Sequence, residues 1–222
     1  MSSLLPKKLI EPKSVTNEVI SYLRNELLVG TSFPPGAYIR EAEVSELLNV
    51  SRAPIREALK ELEADGIVKT IPRRGAYVLG FTQEEVNEIY DIRLTLEMKI
   101  FKRIIKNKLL TAPHYNWLKS CINRFYALST KFNDNLAAGQ LEFYNIDCEF
   151  HFYIHELSGM TWTANILKHV YTRLYQIIIR NIASEDIEML VNAHENLLEN
   201  LRLGNVKGLR KNRSENYVLN KN

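Results

Sequence analysis

The amino-acid sequence predicts a mainly α-helical protein, with an N-terminal winged helix-turn-helix that carries a small β-hairpin wing, followed by an all-α helical bundle. The first 80 residues hold most of the seven prolines and read as short elements separated by turn signals. Beyond residue 80 the chain is a series of long amphipathic segments, and no strand pattern competes with them. We therefore expect one domain at residues 1–80 and a second at residues 81–222.

Composition narrows the classes of protein to which this chain can belong. A hydrophobic content of 45% can fill a core and excludes a disordered chain. The formal net charge of +3 neither requires nor excludes a nucleic-acid partner. Cys121 and Cys148 lie far apart and outside any metal-binding spacing, which favours a reducing compartment. The apolar runs are too short for a membrane span and no signal peptide is evident, so we expect a cytoplasmic protein.

Turn residues and apolar periodicity predict the elements of the first domain in order. Apolar residues recur at helical spacing in three segments, and two β-rich runs flank a Pro/Gly turn. Ser51 is in position to cap the third helix, Pro54 lies in its first turn, and Gly66 supplies its stop. The expected helices are 15–30, 41–48 and 52–65, with an extended piece at 38–40 and a hairpin of 67–71 and 76–79. This is the element order of a winged helix-turn-helix.

The third predicted helix opens with residues that suit DNA recognition, because the N-terminal end of a recognition helix enters the major groove. Arg52 and Arg56 share the face opposite the apolar positions, and the arginine fork can pair with guanine or clamp a phosphate. The small residues between them let the backbone approach the groove closely. The candidate DNA-binding residues of this helix are Ser51, Arg52, Ala53, Pro54 and Arg56.

The tip of the predicted hairpin adds Arg73, Arg74 and Gly75, and no acidic residue lies between positions 67 and 81. Positive charge is thus concentrated where a wing would meet DNA phosphates. Each arginine taken singly is typical of any protein surface. Their joint placement on the capped helix and on the hairpin tip favours DNA binding.

Three stretches of the first domain form one motif pattern. They are Val50-Ser51-Arg52-x-Pro54-Ile55-Arg56-Glu57-Ala58-Leu59, Leu62-Glu63-x-Asp65-Gly66-Ile67-Val68 and Arg74-Gly75-x-x-Val78. The pattern resembles the GntR family of regulators, and the rest of the chain resembles its FadR-type subgroup, which has an FCD ligand-binding domain. The resemblance implies a homodimer that binds an inverted-repeat DNA operator, commonly as a repressor, and releases it when a small effector binds. By position, it also implies that Arg52, Arg56 and the wing around 73–75 contact DNA.

Six helices are predicted in the second domain, the first of which opens with a capping box at Thr82 and Glu85. They are expected at residues 82–106, 112–131, 136–157, 163–181, 185–203 and 206–217. Asp147 and His151 lie four residues apart beside an apolar stripe, so they point the same way and can share a cation. His194 lies in the middle of the apolar face of a later helix, where a hydrogen-bonded core histidine is the alternative interpretation.

The FCD resemblance bears on these three residues. FCD domains that bind metal have an Asp-x3-His on one helix, a histidine on a later helix and another on the last, and Asp147, His151 and His194 match the first three positions. The fourth falls on Asn216, a poor ligand for zinc or nickel. A divalent metal held by three residues and a metal-free pocket therefore both stay open.

Arg93 lies on the apolar face of the first helix of this domain, and a buried guanidinium needs an anionic partner. The partner can be internal, with Glu97 or Asp147 as candidates, or it can be the carboxylate of a small effector. Because FCD regulators commonly sense organic acids, the resemblance favours an effector clamp.

Two other classes of protein fit part of the sequence. The three candidate metal ligands could hold a catalytic metal, but no additional general base accompanies them. The predicted N-terminal DNA-binding domain would also have no role in such an enzyme. An architectural DNA-binding protein without a ligand would gain more from an apolar core in its second domain. The sequence therefore predicts a ligand-responsive regulator that binds double-stranded DNA and a small carboxylate, and not an enzyme.

Overall fold

The computed structural model describes residues 15–29, 32–72, 74–128, 132, 134–179, 182 and 186–215. The chain divides into two compact units. The first comprises the described residues of 1–26 and 33–79, and the second those of 27–32 and 80–222. Within the described part of the chain, no helix combines the length and apolar character that crossing a membrane requires.

The described residues of the first unit form three helices and three short strands. They are α1 (Val15–Leu28), β1 (Tyr38–Ile39), α2 (Glu41–Leu48), α3 (Arg52–Ala64), β2 (Val68–Ile71) and β3 (Gly75–Val78). The strands make one antiparallel sheet in the order β1-β3-β2. This architecture confirms the predicted winged helix-turn-helix. The extended piece expected before α2 proves to be a third strand, paired with β3 through Ile39 and Ala76.

Helix α3 forms because its apolar residues fall on one face, where Ile55, Leu59 and Leu62 are fully buried. Its end also follows the prediction, since Gly66 adopts a positive φ of 71° and its N–H donates to the Glu63 carbonyl. The start differs in one respect. Ser51 is the N-cap residue with extended backbone, but its side chain makes no capping hydrogen bond. The first-turn N–H groups of α3 are therefore not covered by that hydroxyl.

Gly75 has a structural role where β3 leaves the turn of the wing. Its φ is +96°, and a Cβ atom at this position would lie 2.1 Å from the carbonyl oxygen of Ile39. Only glycine allows β3 to start this close to the neighbouring backbone. A contact of Gly75 with DNA stays a prediction, whereas its packing against Ile39 is a feature of the fold.

The described residues of the second unit form six helices of ten residues or more, in the predicted order. They are α4 (Gln83–Lys106), α5 (Ala112–Tyr126), α6 (Leu136–Leu157), α7 (Thr161–Ile178), α8 (Ile187–Leu203) and α9 (Val206–Glu215). Helix α4 opens with the predicted capping box. Helix α5 ends at Tyr126, earlier than expected, and α7 begins at Thr161 rather than 163.

The core of this unit lies where α4 packs against α7 and α5 packs against α8, with α6 contacting all four. Its largest fully buried side chains are aromatic: Phe101, Phe125, Phe150 and Tyr171. Among the described residues, five acidic or histidine side chains interrupt this apolar interior, namely Glu97 on α4, Asp147, His151 and His155 on α6, and His194 on α8. Burial of so many ionisable groups is costly unless they pair with one another or with a ligand.

Candidate nucleic-acid interface and metal centre

The first unit has a concavity of about 860 Å³. It brings together four of the residues that the sequence singled out, Arg52, Arg56, Arg74 and Gly75. Of the other candidates, Ser51 and Ala53 are exposed and Pro54 is half-buried at the start of α3, while Arg73 lies outside the described residues. The concavity is lined by Tyr38, Arg40, Glu41, Ala42, Arg52, Arg56, Arg74 and Gly75.

The lining residues make this concavity strongly basic. Four guanidinium groups face it from three segments of the chain, and one carboxylate accompanies them. Arg52 and Arg56 project from the first two turns of α3 and are exposed beside its buried face, so neither contributes to the core. An exposed helix N-terminus with several arginines around one concavity is suited to a nucleic acid. The arginines can bind its phosphates, and the start of the helix can contact its base edges in a groove.

One contact in the concavity could not be anticipated from sequence pattern. The Glu41 carboxylate accepts two hydrogen bonds from the Arg56 guanidinium, at 3.1 Å from Nε and 2.8 Å from Nη2. The hydrogen bonds from Arg56 hold the pKa of Glu41 below its usual range, although partial burial opposes this. The two residues are fifteen positions apart on different helices, so no helical periodicity links them.

A second, much smaller cavity lies between α4, α6, α7 and α8. Its volume is about 50 Å³. The four described residues that the sequence singled out in this domain all line it: Arg93, Asp147, His151 and His194. Tyr171 and Tyr175 complete its polar lining. They fall four residues apart on the buried face of α7, and two hydroxyls at that spacing are the signal that could have identified them.

Asp147 is the centre of the polar contacts in this cavity. One carboxylate oxygen lies 2.7 Å from Nε2 of His194, and the other accepts a hydrogen bond from the Tyr175 hydroxyl and lies 3.7 Å from Nε2 of His151. Burial opposes the charge of Asp147, but the nearby His151 and His194 and the charge of Arg93 together hold its pKa well below its usual range. Burial beside this carboxylate raises the pKa of Tyr175, which keeps its proton.

The orientation of His194 indicates what the cavity can hold. Nδ1 lies 2.6 Å from the backbone carbonyl oxygen of Leu190, an acceptor, so this nitrogen carries a hydrogen. In a neutral imidazole Nε2 then has only a lone pair, which faces the Asp147 carboxylate at 2.7 Å. Two lone pairs repel each other at this distance. A proton or a metal cation between the two groups removes the conflict.

The three candidate ligands fit a divalent metal. Asp147, His151 and His194 each offer one ligand atom, and these atoms all lie within 4.8 Å of one another. One carboxylate oxygen and two imidazole nitrogens suit zinc and nickel. Metal-binding histidines commonly donate their other N–H to a backbone carbonyl, as His194 does to Leu190. Asn216, at the fourth position of the motif, lies outside the described residues.

Arg93 has an internal partner in this structure. Its Nε lies 3.5 Å from the Glu97 carboxylate, and its Nη2 donates to the Tyr171 hydroxyl at 2.7 Å. The Tyr171 hydroxyl in turn donates to Glu97, and Nε2 of His155 lies 3.4 Å from the same carboxylate. Of the two internal partners expected for Arg93, Glu97 is therefore the one in contact.

Comparison with known proteins identifies both units. The model of the family described as "Bacterial regulatory proteins, gntR family" matches residues 15–78, and the model of the FCD domain matches residues 88–212. A gluconate operon transcriptional repressor of Bacillus licheniformis is 38% identical over 101 residues. That match covers 46% of this chain and 41% of the repressor, so the chain spans well under two thirds of the length of this relative.

Other matches extend over most of the chain. The HTH-type transcriptional repressor RspR of Escherichia coli K12 is 24% identical over 196 residues, which cover 87% of this chain and 82% of RspR. The solved structure of E. coli McbR/YncC superposes with a TM-score of 0.72 at 21% identity and covers 93% of this chain and 96% of that one, which establishes a common fold. The two curated relatives are named as transcriptional repressors. The chain therefore belongs to the GntR family of bacterial regulatory proteins, with an FCD domain as its second unit.

Proposed function

We propose that this chain is a DNA-binding transcription repressor that responds to a small organic acid. The first unit binds an inverted-repeat operator as a homodimer, and the second unit binds the acid, which releases the DNA. The observation that carries the proposal is the basic concavity at the exposed start of α3, with Arg52, Arg56 and Arg74 on its wall. The family membership and the repressor names of two relatives support it.

Dimerisation follows from the size of the DNA-binding surface. A single wing-and-helix module buries little surface on DNA, so useful affinity needs two copies on two half-sites. Selection of binding sequences from a random pool of duplexes, using the full chain, is expected to recover an inverted repeat. Light scattering is expected to give two chains per duplex. Recovery of no common sequence would contradict DNA recognition, and one chain per duplex would contradict the dimer.

We also propose that Asp147, His151 and His194 hold a divalent cation such as zinc or nickel. The proposal is supported by the spacing of their ligand atoms and by the lone-pair conflict between His194 and Asp147. The cation would supply positive charge for the carboxylate of an effector, and Arg93, which lines the same cavity, would meet the effector from the other side.

Metal content after dialysis tests this site. The parent chain is expected to retain about one metal ion per chain by elemental analysis, and His194→Ala to lose it, because two ligands hold zinc poorly. His169→Ala removes an exposed histidine of α7 and is the matched control, expected to keep the metal. Asn216→His should tighten binding if position 216 supplies the fourth ligand. The metal assignment fails if parent and Asn216→His are both metal-free, or if His194→Ala keeps full stoichiometry.

Cavity size sets a condition on effector binding. A volume of about 50 Å³ holds an ion with a water molecule, since one water occupies about 30 Å³ in the liquid, but it does not hold an organic acid of several carbon atoms. Binding of an acid therefore requires Arg93 to leave Tyr171 or the surrounding helices to separate. Such a rearrangement is a means by which the second unit could respond to its ligand.

A further inference from the structure

We propose that Glu41 is a positioning residue that holds the Arg56 guanidinium for base recognition and so sets the sequence preference of the chain. This inference rests on the proposed DNA binding. It assigns the role to a carboxylate that, by its charge alone, would be expected to oppose binding to a polyanion.

The geometry indicates a specific Glu41–Arg56 ion pair rather than an incidental surface contact. Both oxygens of Glu41 are engaged, one by Nε and the other by Nη2 of Arg56, which is the two-bond arrangement that fixes the plane of a guanidinium. The Glu41 side chain is 24% exposed and the Arg56 side chain 58%, so the carboxylate is the more buried partner of the pair. Glu41 itself is fixed by its place in the first turn of α2.

The pairing leaves the outer edge of Arg56 available. A guanidinium has five N–H donors, and Glu41 uses the one on Nε and one on Nη2. The remaining three lie on Nη1 and on the far side of Nη2, and these can pair with O6 and N7 of a guanine. An arginine without such support turns freely between bases and phosphates. Holding it in one orientation favours the base contact over the phosphate contact.

Charge adds a second contribution to selectivity. A carboxylate on the wall of the concavity repels the DNA backbone, so it weakens binding to every sequence alike. At a preferred sequence, the base contact made by the pre-oriented Arg56 compensates for that repulsion. At other sequences this base contact is absent and the repulsion is not compensated. Loss of Glu41 is therefore expected to weaken specific binding and to strengthen non-specific binding.

Glu41→Gln tests the inference with the full chain. The probes are a duplex selected with the parent chain and a scrambled duplex of the same composition, with affinities measured by fluorescence anisotropy at several salt concentrations. Glu41→Gln is expected to lose about tenfold in affinity for the selected duplex, the size of one base contact, and to bind the scrambled duplex as tightly as the parent or more so. Added to Arg56→Ala, it should cause no further loss for the selected duplex.

Glu43→Gln is the matched control. Glu43 lies in the same helical turn and pairs with Arg40 at 2.8 Å, but it does not line the concavity. This variant should change both affinities in the same direction and to a similar small extent. If Glu41→Gln behaves like Glu43→Gln, or weakens binding further in the Arg56→Ala background, Glu41 is not a positioning residue. If the parent binds no duplex selectively, the proposed function fails and this inference fails with it.

Discussion

The double substitution Arg52→Ala/Arg56→Ala is expected to lower affinity for a selected duplex by about 100-fold or more, because each base-contacting arginine contributes about 1–3 kcal/mol. Both side chains are exposed at the start of α3 and face the basic concavity. The preference for the selected over a scrambled duplex should nearly vanish. Anisotropy titrations of the two duplexes measure both effects.

Arg74→Ala is the control for this prediction. Arg74 lies in the turn of the wing rather than on the recognition helix, and its role is expected to be a phosphate contact. Its removal should weaken binding to both duplexes evenly and reduce the slope of log affinity against log salt by about 1. Unchanged specific binding by the Arg52→Ala/Arg56→Ala chain would contradict the assignment of α3 as the recognition helix.

Gly75→Ala is expected to destabilise the first unit by about 3 kcal/mol or more, because a strained φ alone costs about 1–3 kcal/mol and a backbone clash adds to it. The added methyl group would lie 2.1 Å from the Ile39 carbonyl oxygen, and neither strand can move without breaking the β1–β3 pairing. Hydrogen exchange of peptides from 36–79 measures the loss, with peptides from the second unit as an internal reference.

The variant Gly36→Ala separates the cost of the positive φ from the cost of the backbone clash. Gly36 also has a positive φ, of +89°, but the nearest atom to its added Cβ is the Tyr77 hydroxyl at 3.8 Å. Its substitution should cost only the strain, about 1–3 kcal/mol, and so less than Gly75→Ala. Equal exchange protection in the two variants would mean that the approach of Gly75 to Ile39 relaxes at little cost.

Local patterns were sufficient to predict most of the fold. The apolar faces of α3 and α4, the capping box at Thr82 and the glycine stop at Gly66 are all encoded by residues a few positions apart. Strand β1 could be expected only as an extended piece, because a two-residue strand has no alternation and depends on pairing with β3. No sequence signal marks the early end of α5 at Tyr126.

The candidate sites were predictable to the extent that their residues share a helix. The four-residue spacing of Asp147 and His151 placed them on one side of a helix, and the family resemblance joined His194 to them; all three line one cavity. The Glu41–Arg56 pair and the contacts of Tyr171 and Tyr175 join residues of different helices. Such pairs depend on how helices pack, which no periodicity within one helix contains.

The charge balance of the buried polar cluster depends on its histidines. Asp147 and Glu97 are buried carboxylates, and Arg93, which lines the cavity, contacts Glu97. When the nearby histidines are neutral, as metal ligands are, these three residues carry one net negative charge, and a buried net charge is unfavourable. An organic acid entering this cavity alone would double the excess, whereas a divalent cation would reverse it. The cation and the acid proposed for this unit are thus thermodynamically linked, and each should increase the affinity of the protein for the other.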